Sequence, residues 1–176
     1  MSLKREEMEE KGISQVTSLM YLATRTAPKA RGMDNLIIAV FSDPEKEDLA
    51  QKMEEIASQG YRSHIFSRDA QNVRQAKAVL IIGTKLKPRE LDCGFCGFKS
   101  CAQCEEKGGR CAFDLIDLGI ALGSAVSVAA NHRVDNRIMY TVGYAAVKYK
   151  LLGEKVKVAL GIPLSATGKN IFFDRK

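Results

Sequence analysis

Residues 112 to 131, AFDLIDLGIALGSAVSVAAN, are apolar on nearly every side of a helix. A helix without a polar face belongs inside a core, so the segment predicts a central buried helix around which the rest of the chain packs. Asp114 and Asp117 fall in its first turns, where the helix dipole favours carboxylates. Gly119, Gly123 and Ser127 recur every four residues, which lets a second backbone come close. The spacing leaves open whether that backbone is another element of the same core or a second copy of the chain.

The flanking sequence alternates between strands and helices. An N-terminal helix over 4–24 carries Val16, Leu19, Met20 and Ala23 at helical spacing, with Gly12 placing its regular part from about Ser14. The loop Ala27-Pro28-Lys29-Ala30-Arg31-Gly32 follows. NLIIAVF at 35–41 and AVLIIG at 78–83 read as strands buried on both faces. Between them, Ser42-Asp43-Pro44 starts a helix that buries Leu49, Met53 and Ile56 and stops at Gly60. A short strand is expected at 61–66 and a short helix at 69–75. A helix over 137–152 buries Met139, Val142, Ala146 and Tyr149, and KVKVALGI at 155–162 reads as a strand ended by Pro163. The alternation indicates α/β or α+β architecture in a single domain, 1–176.

All five cysteines lie within nineteen residues, at Cys93, Cys96, Cys101, Cys104 and Cys111. They occupy a Gly-rich, charged lobe at 87–111, inserted between a buried strand and the central helix. The N-terminus is charged and resembles no secretory signal, which points to the reducing cytoplasm. There, clustered thiols mean metal or redox chemistry rather than structural disulfides. Cys93-x2-Cys96 and Cys101-x2-Cys104 are too close together for the two hairpin tips of a zinc ribbon. Iron–sulfur ligation accepts a short loop-borne run with a later fourth cysteine, and Gly94 and Gly97 let the backbone aim amides at sulfur. Cys93, Cys96 and Cys101 form the run. The fourth ligand is Cys104 or Cys111, and Cys111 is preferred because it would clamp the lobe to the central helix.

The run CGFCGFKSC, with Cys111-Ala112-Phe113 leading into the central helix, resembles a prokaryotic family described as uncharacterised ferredoxin-domain proteins (DUF2148). That resemblance implies a 4Fe–4S type site but no particular reaction; a zinc label has also been attached to the family. The framework is similar to FMN-dependent nitroreductases: a helix, the Ala27-to-Arg31 loop, a strand, a long small-residue helix, a second helix and Val158-Ala159-Leu160-Gly161-Ile162-Pro163. This similarity implies a nitroreductase-like sheet surrounded by helices, a homodimer, and Arg25, Lys29 and Arg31 placed to meet a flavin phosphate. Asn131-His132-Arg133-Val134 departs from that family's glycine-bearing turn.

The expected function is an iron–sulfur redox or electron-transfer protein that exchanges electrons with a flavin, a partner protein or a small-molecule acceptor. Whether it is itself an oxidoreductase stays open. The alternatives are a zinc-stabilised binding module without catalysis and an FMN-dependent oxidoreductase with an accessory cysteine lobe. The net charge of +6 is spread along the chain without a basic stripe or aromatic interleaving, so no nucleic-acid partner is expected. No uninterrupted apolar run suggests a membrane span. Gly161, Gly168 and Lys169 lack phosphate-loop spacing, and no Ser–His–Asp signature is present.

Overall fold

The computed structural model describes residues 4–173. Its helices are α1 (Arg5–Thr26), α2 (Glu45–Ser58), α3 (Ser63–Gln75), α4 (Cys101–Glu106), α5 (Ala112–Asn131) and α6 (Tyr140–Lys148). The strands are β1 (Leu36–Phe41), β2 (Ala78–Thr84), β3 (Asp135–Asn136) and β4 (Val158–Ser165). They form one sheet in the order β1-β2-β4-β3, and every pairing is antiparallel. The alternating element order therefore resolves to α+β rather than to a parallel sheet with crossovers.

β2 shows why the sheet sits between two helical layers. All its residues are buried. Val79 and Ile81 join one apolar cluster with Leu49, Met53 and Ile56 of α2, Phe66 and Val73 of α3, and Val142 and Ala146 of α6. Ala78, Leu80 and Ile82 join a second cluster with Met20 of α1 and Leu118, Ala121 and Ala125 of α5. The two-residue period of a strand splits its side chains between the layers. β1 lies at the sheet edge, and there only Leu36 is buried, in place of the two-sided burial expected.

Several boundaries differ from those expected. α1 starts at Arg5, ahead of Gly12, with the Glu7 carboxylate accepting from the Lys4 backbone N–H. Residues 61–66 are not a strand: α3 begins at Ser63 and buries Phe66 on its inner face. The helix expected over 137–152 is limited to Tyr140–Lys148 because Met139 bridges to Gly161 of β4. Pro163 lies inside β4 and faces Val79. Gly161 exchanges both backbone hydrogen bonds with Met139, so the nitrogen of Pro163, two residues on, faces the same side. β3 ends at Asn136, and the missing donor points at the gap before Met139.

α5 packs against the sheet and α1 through one side only. Leu115, Ile116, Gly119, Ile120, Gly123 and Ser127 are exposed along the other. By length and composition α5 could cross a bilayer, yet 39% of its most apolar window is buried inside this fold.

Candidate metal centre

The chain enters the cysteine lobe through a constrained backbone. Leu86, Glu90 and Asp92 hold φ values of 57°, 53° and 45°, the left-handed region that non-glycine residues seldom adopt. In the same stretch Arg89 is fully buried. Its guanidinium pairs with Asp114 and, at 2.5 Å, with Asp117, and it donates to the Met33 carbonyl. Asp114 also accepts from Thr84 Oγ1 at 2.6 Å and Asn35 Nδ2 at 3.3 Å. Asp117 accepts from the Ala30 N–H at 3.0 Å. The two carboxylates thus do more than meet the helix dipole. They fasten the loop after α1, the end of β2 and the root of the lobe to the first turns of α5.

The far side of the lobe closes at Cys111, the residue preceding α5. The ring of Phe95 stacks on Phe113 of α5 with centroids 5.5 Å apart and planes 9° from parallel. α4 occupies a stretch in which the sequence showed no period. Ser100 caps it by accepting from Gln103 N–H at 3.2 Å, while Gln103 Oε1 accepts from Lys99 N–H at 2.9 Å. The Ser-x2-Gln spacing is the signal that could have located this helix.

The five thiols occupy distinct environments. Cys93 is exposed, Cys96 and Cys101 are partly covered, and Cys104 and Cys111 are buried. Burial, then hydrogen bonding with Cys96 and the nearby Cys111 and Cys101, push the Cys104 thiol up to about 11. Cys104 is also tightly packed: a Cβ on Gly109 would lie 2.9 Å from its Sγ. Cys101 is bracketed by Asp92, whose N–H donates to Cys101 Sγ at 3.4 Å and whose Oδ1 accepts from Cys101 N–H at 2.6 Å. Gly94 and Gly97 take φ values of 73° and 83°, and Gly97 N–H donates to the Gly94 carbonyl at 2.9 Å. These positive φ values let the Cys93-to-Cys96 arm curl. Among the described residues, no three His, Cys, Asp or Glu side chains already stand together as ligands for a metal ion. The donor set suits a soft metal or cluster, and the exposed arm would have to close over it.

Arg25, Lys29 and Arg31 fall near one another but on protein acceptors. Arg25 pairs with Asp34. Lys29 Nζ donates to the carbonyls of Ala27 and Arg25 at 2.8 and 2.9 Å, closing the end of α1. Burial, and next the Arg25 charge, hold the Lys29 ammonium below its ordinary value. Arg31 reaches the Glu90 carboxylate at 2.8 Å and the Arg89 carbonyl at 3.1 Å. In this arrangement a flavin phosphate would have to displace Asp34 and Glu90.

Arg89 escaped the sequence reading. Its signal was the three-residue spacing of Asp114 and Asp117 on an otherwise apolar helix, since buried carboxylates need a cation. His64 and His132 belong to no such network.

The sequence profile of a family described as "uncharacterized protein containing a ferredoxin domain" (DUF2148) matches residues 107–175, from just before Cys111 through β4. An uncharacterized protein of Archaeoglobus fulgidus is 41% identical over 184 residues, covering 99% of this chain and 98% of its own. Among solved structures, the nitroreductase CinD of Lactococcus lactis, in complex with nicotinic acid, superposes with a TM-score of 0.61 at 12% identity, covering 92% of this chain and 84% of its own. A nitroreductase of Desulfitobacterium hafniense with bound FMN gives 0.58 at 15% identity, covering 88% and 78%. The fold is nitroreductase-like.

Proposed function

This chain belongs to the family of uncharacterized proteins containing a ferredoxin domain, and on that premise we propose that its cysteine lobe holds a 4Fe–4S type cluster and that the protein passes single electrons to or from a redox partner in the reducing cytoplasm. The observation that carries the proposal is the collection of all five cysteines in one lobe, with the buried Cys104 hydrogen-bonded to Cys96 and with Cys111 at the head of α5. The proposed ligands are Cys93, Cys96, Cys101 and Cys111. Cys104 is assigned as their neighbour because it is buried against the Gly109 backbone, where no side chain could be accommodated. When bound, a cluster of this kind supplies reversible one-electron chemistry.

The protein's own contribution is placement and tuning. The Asp92 N–H is held toward Cys101 Sγ, and amide–sulfur contacts of this type raise a cluster's potential. The buried Arg89 network holds the root of the lobe against α5, and the Phe95–Phe113 stack lays the Cys93-to-Cys96 arm beside the same helix. A resident flavin has less support, since Arg25, Lys29 and Arg31 are already engaged. We further propose a homodimer, supported by the exposed stripe of α5, where Leu115, Ile116 and Ile120 are 37%, 44% and 40% exposed and no charged residue intervenes.

Anaerobic purification with iron, sulfide, zinc and flavin measured on one sample tests the reading. About four irons and four sulfides per chain, with a reducible paramagnetic signal, are expected. Serine variants at Cys93, Cys96, Cys101 and Cys111 should each lose cluster, and the variant at Cys104 should retain it. Stoichiometric zinc without iron after anaerobic reconstitution overturns the reading in favour of a zinc-stabilised module.

A further inference from the structure

On the α6 side of the sheet a groove of about 520 Å³ opens between α6, the start of β4 and the foot of the cysteine lobe. Its size suits a small molecule. Tyr140 and Tyr144 line it together with Arg110, Lys148 and Lys157, and none of its lining residues carries a carboxylate. Part of its floor is backbone: a Cβ on Gly143 would meet the Ala159 carbonyl oxygen at 1.7 Å, so only glycine lets α6 lie this close to β4.

Two features set this groove apart from an ordinary basic surface. First, the side chains of Arg110 and Lys157 have no hydrogen-bond or ion-pair partner among the described residues. Lys148, by contrast, donates to Gln59 Oε1 at 2.7 Å. Second, the aromatic wall is held in place. Tyr61 stacks on Tyr144 with centroids 5.1 Å apart, and the buried Phe66 abuts Tyr144 and Tyr140 edge-on at 5.6 and 6.2 Å. Tyr144 nevertheless remains 40% exposed. A ring fixed by neighbours on one side and open on the other can receive a second ring at little ordering cost.

We propose that this groove binds a small planar aromatic molecule carrying a phosphate or carboxylate. The anion would sit on Arg110 and Lys157, and the ring would lie against Tyr140 and Tyr144. An inorganic anion would use only the cations, and a neutral aromatic only the tyrosines; the groove offers both within one concavity. Arg110 directly precedes Cys111, so the ligand would lie beside the cysteine lobe. Its binding does not require a metal there.

Protein-observed ¹⁵N NMR on the full chain tests this with four probes: 1-naphthyl phosphate, 1-naphthoate, neutral 1-naphthamide and inorganic phosphate. At least one naphthyl anion should shift the amides of Arg110, Tyr144 and Val158 saturably, and the stronger of the two identifies the preferred anion. Naphthamide and inorganic phosphate should each bind at least about tenfold more weakly. The R110A/K157A double variant should lose about tenfold or more in affinity for the naphthyl anion, and affinity for the intact protein should fall as salt is raised. Both substituted side chains are exposed, and the variant's own spectrum reports its fold. Absence of shifts at these amides with either naphthyl anion at ~10 mM, shifts confined to the α5 face, or unchanged affinity in R110A/K157A would each overturn the proposal.

Discussion

Replacing Arg89 with Met removes a fully buried cation from between two buried carboxylates. Breaking such a network by deleting one partner costs about 3–5 kcal/mol, because the remaining charges stay desolvated. The lower part of that range applies here. Asp114 keeps the Thr84 hydroxyl and Asn35 amide, and Asp117 keeps the Ala30 N–H. For a chain of this length, a loss of about 3 kcal/mol lowers Tm by roughly 6–12 °C. Urea unfolding followed by circular dichroism, at one fixed protein concentration, measures the loss as a lower midpoint with an unchanged slope. The triple variant R89M/D114N/D117N should recover more than half of it. It buries no charge at these positions, and the side-chain carbonyl of each new Asn can still accept from Thr84 or Ala30. A loss under about 1 kcal/mol in R89M, or a triple variant no more stable than the single one, refutes the argument that Arg89 neutralises a desolvated pair.

Three further outcomes follow from individual contacts. A folded thiol at about 11, raised from 9.0, binds more protons than its unfolded counterpart between those values, so Cys104 stabilises below pH 9 and loses that contribution as pH rises toward 11. In the apoprotein, iodoacetamide at pH 8 should label exposed Cys93 long before Cys104, read by peptide mass spectrometry; equal rates would refute the assigned burial. Gly143→Ala places a Cβ against the Ala159 carbonyl and should cost about 2 kcal/mol or more in urea midpoint, whereas Gly123→Ala meets open space and should be neutral or stabilising in the monomer. Ile120→Glu, on the exposed stripe of α5, should convert a dimer to a monomer in sedimentation velocity, and an unchanged mass would remove α5 as the interface.

The apolar periods of α2 and β2 were legible because burial alone decides them: Leu49, Met53 and Ile56 face inward, and β2 has no exposed position. Residues 61–66 misled because Tyr61 and Phe66 read equally well as strand residues. Only the aromatic packing of Phe66 with Tyr140 and Tyr144 shows its place on α3. Pro163 misled for a related reason, since its tolerance depends on a gap in β3 that local sequence does not reveal. The cysteines announced the site, but their relative burial was hidden. Spacing made Cys104 a spare thiol, and the structure adds that it is buried on α4 beside Gly109.

The same fold geometry shows why a cysteine lobe can be carried here without acting as a staple. Its two roots are Arg89 and Cys111, separated by 22 positions in sequence, and both converge on the first turns of α5. Arg89 pairs with Asp114 and Asp117, three and six residues beyond Cys111, so one helical end supports both sides of the lobe. Loop-closure entropy is then met mainly by protein contacts, and metal binding would order only the arm between them. Removal of metal from the loaded protein should accordingly loosen 92–98, raising hydrogen exchange there, while β2 and the buried side of α5 stay protected. Global loss of protection on chelation would instead mean that the metal, not the Arg89 network, holds the lobe to the core.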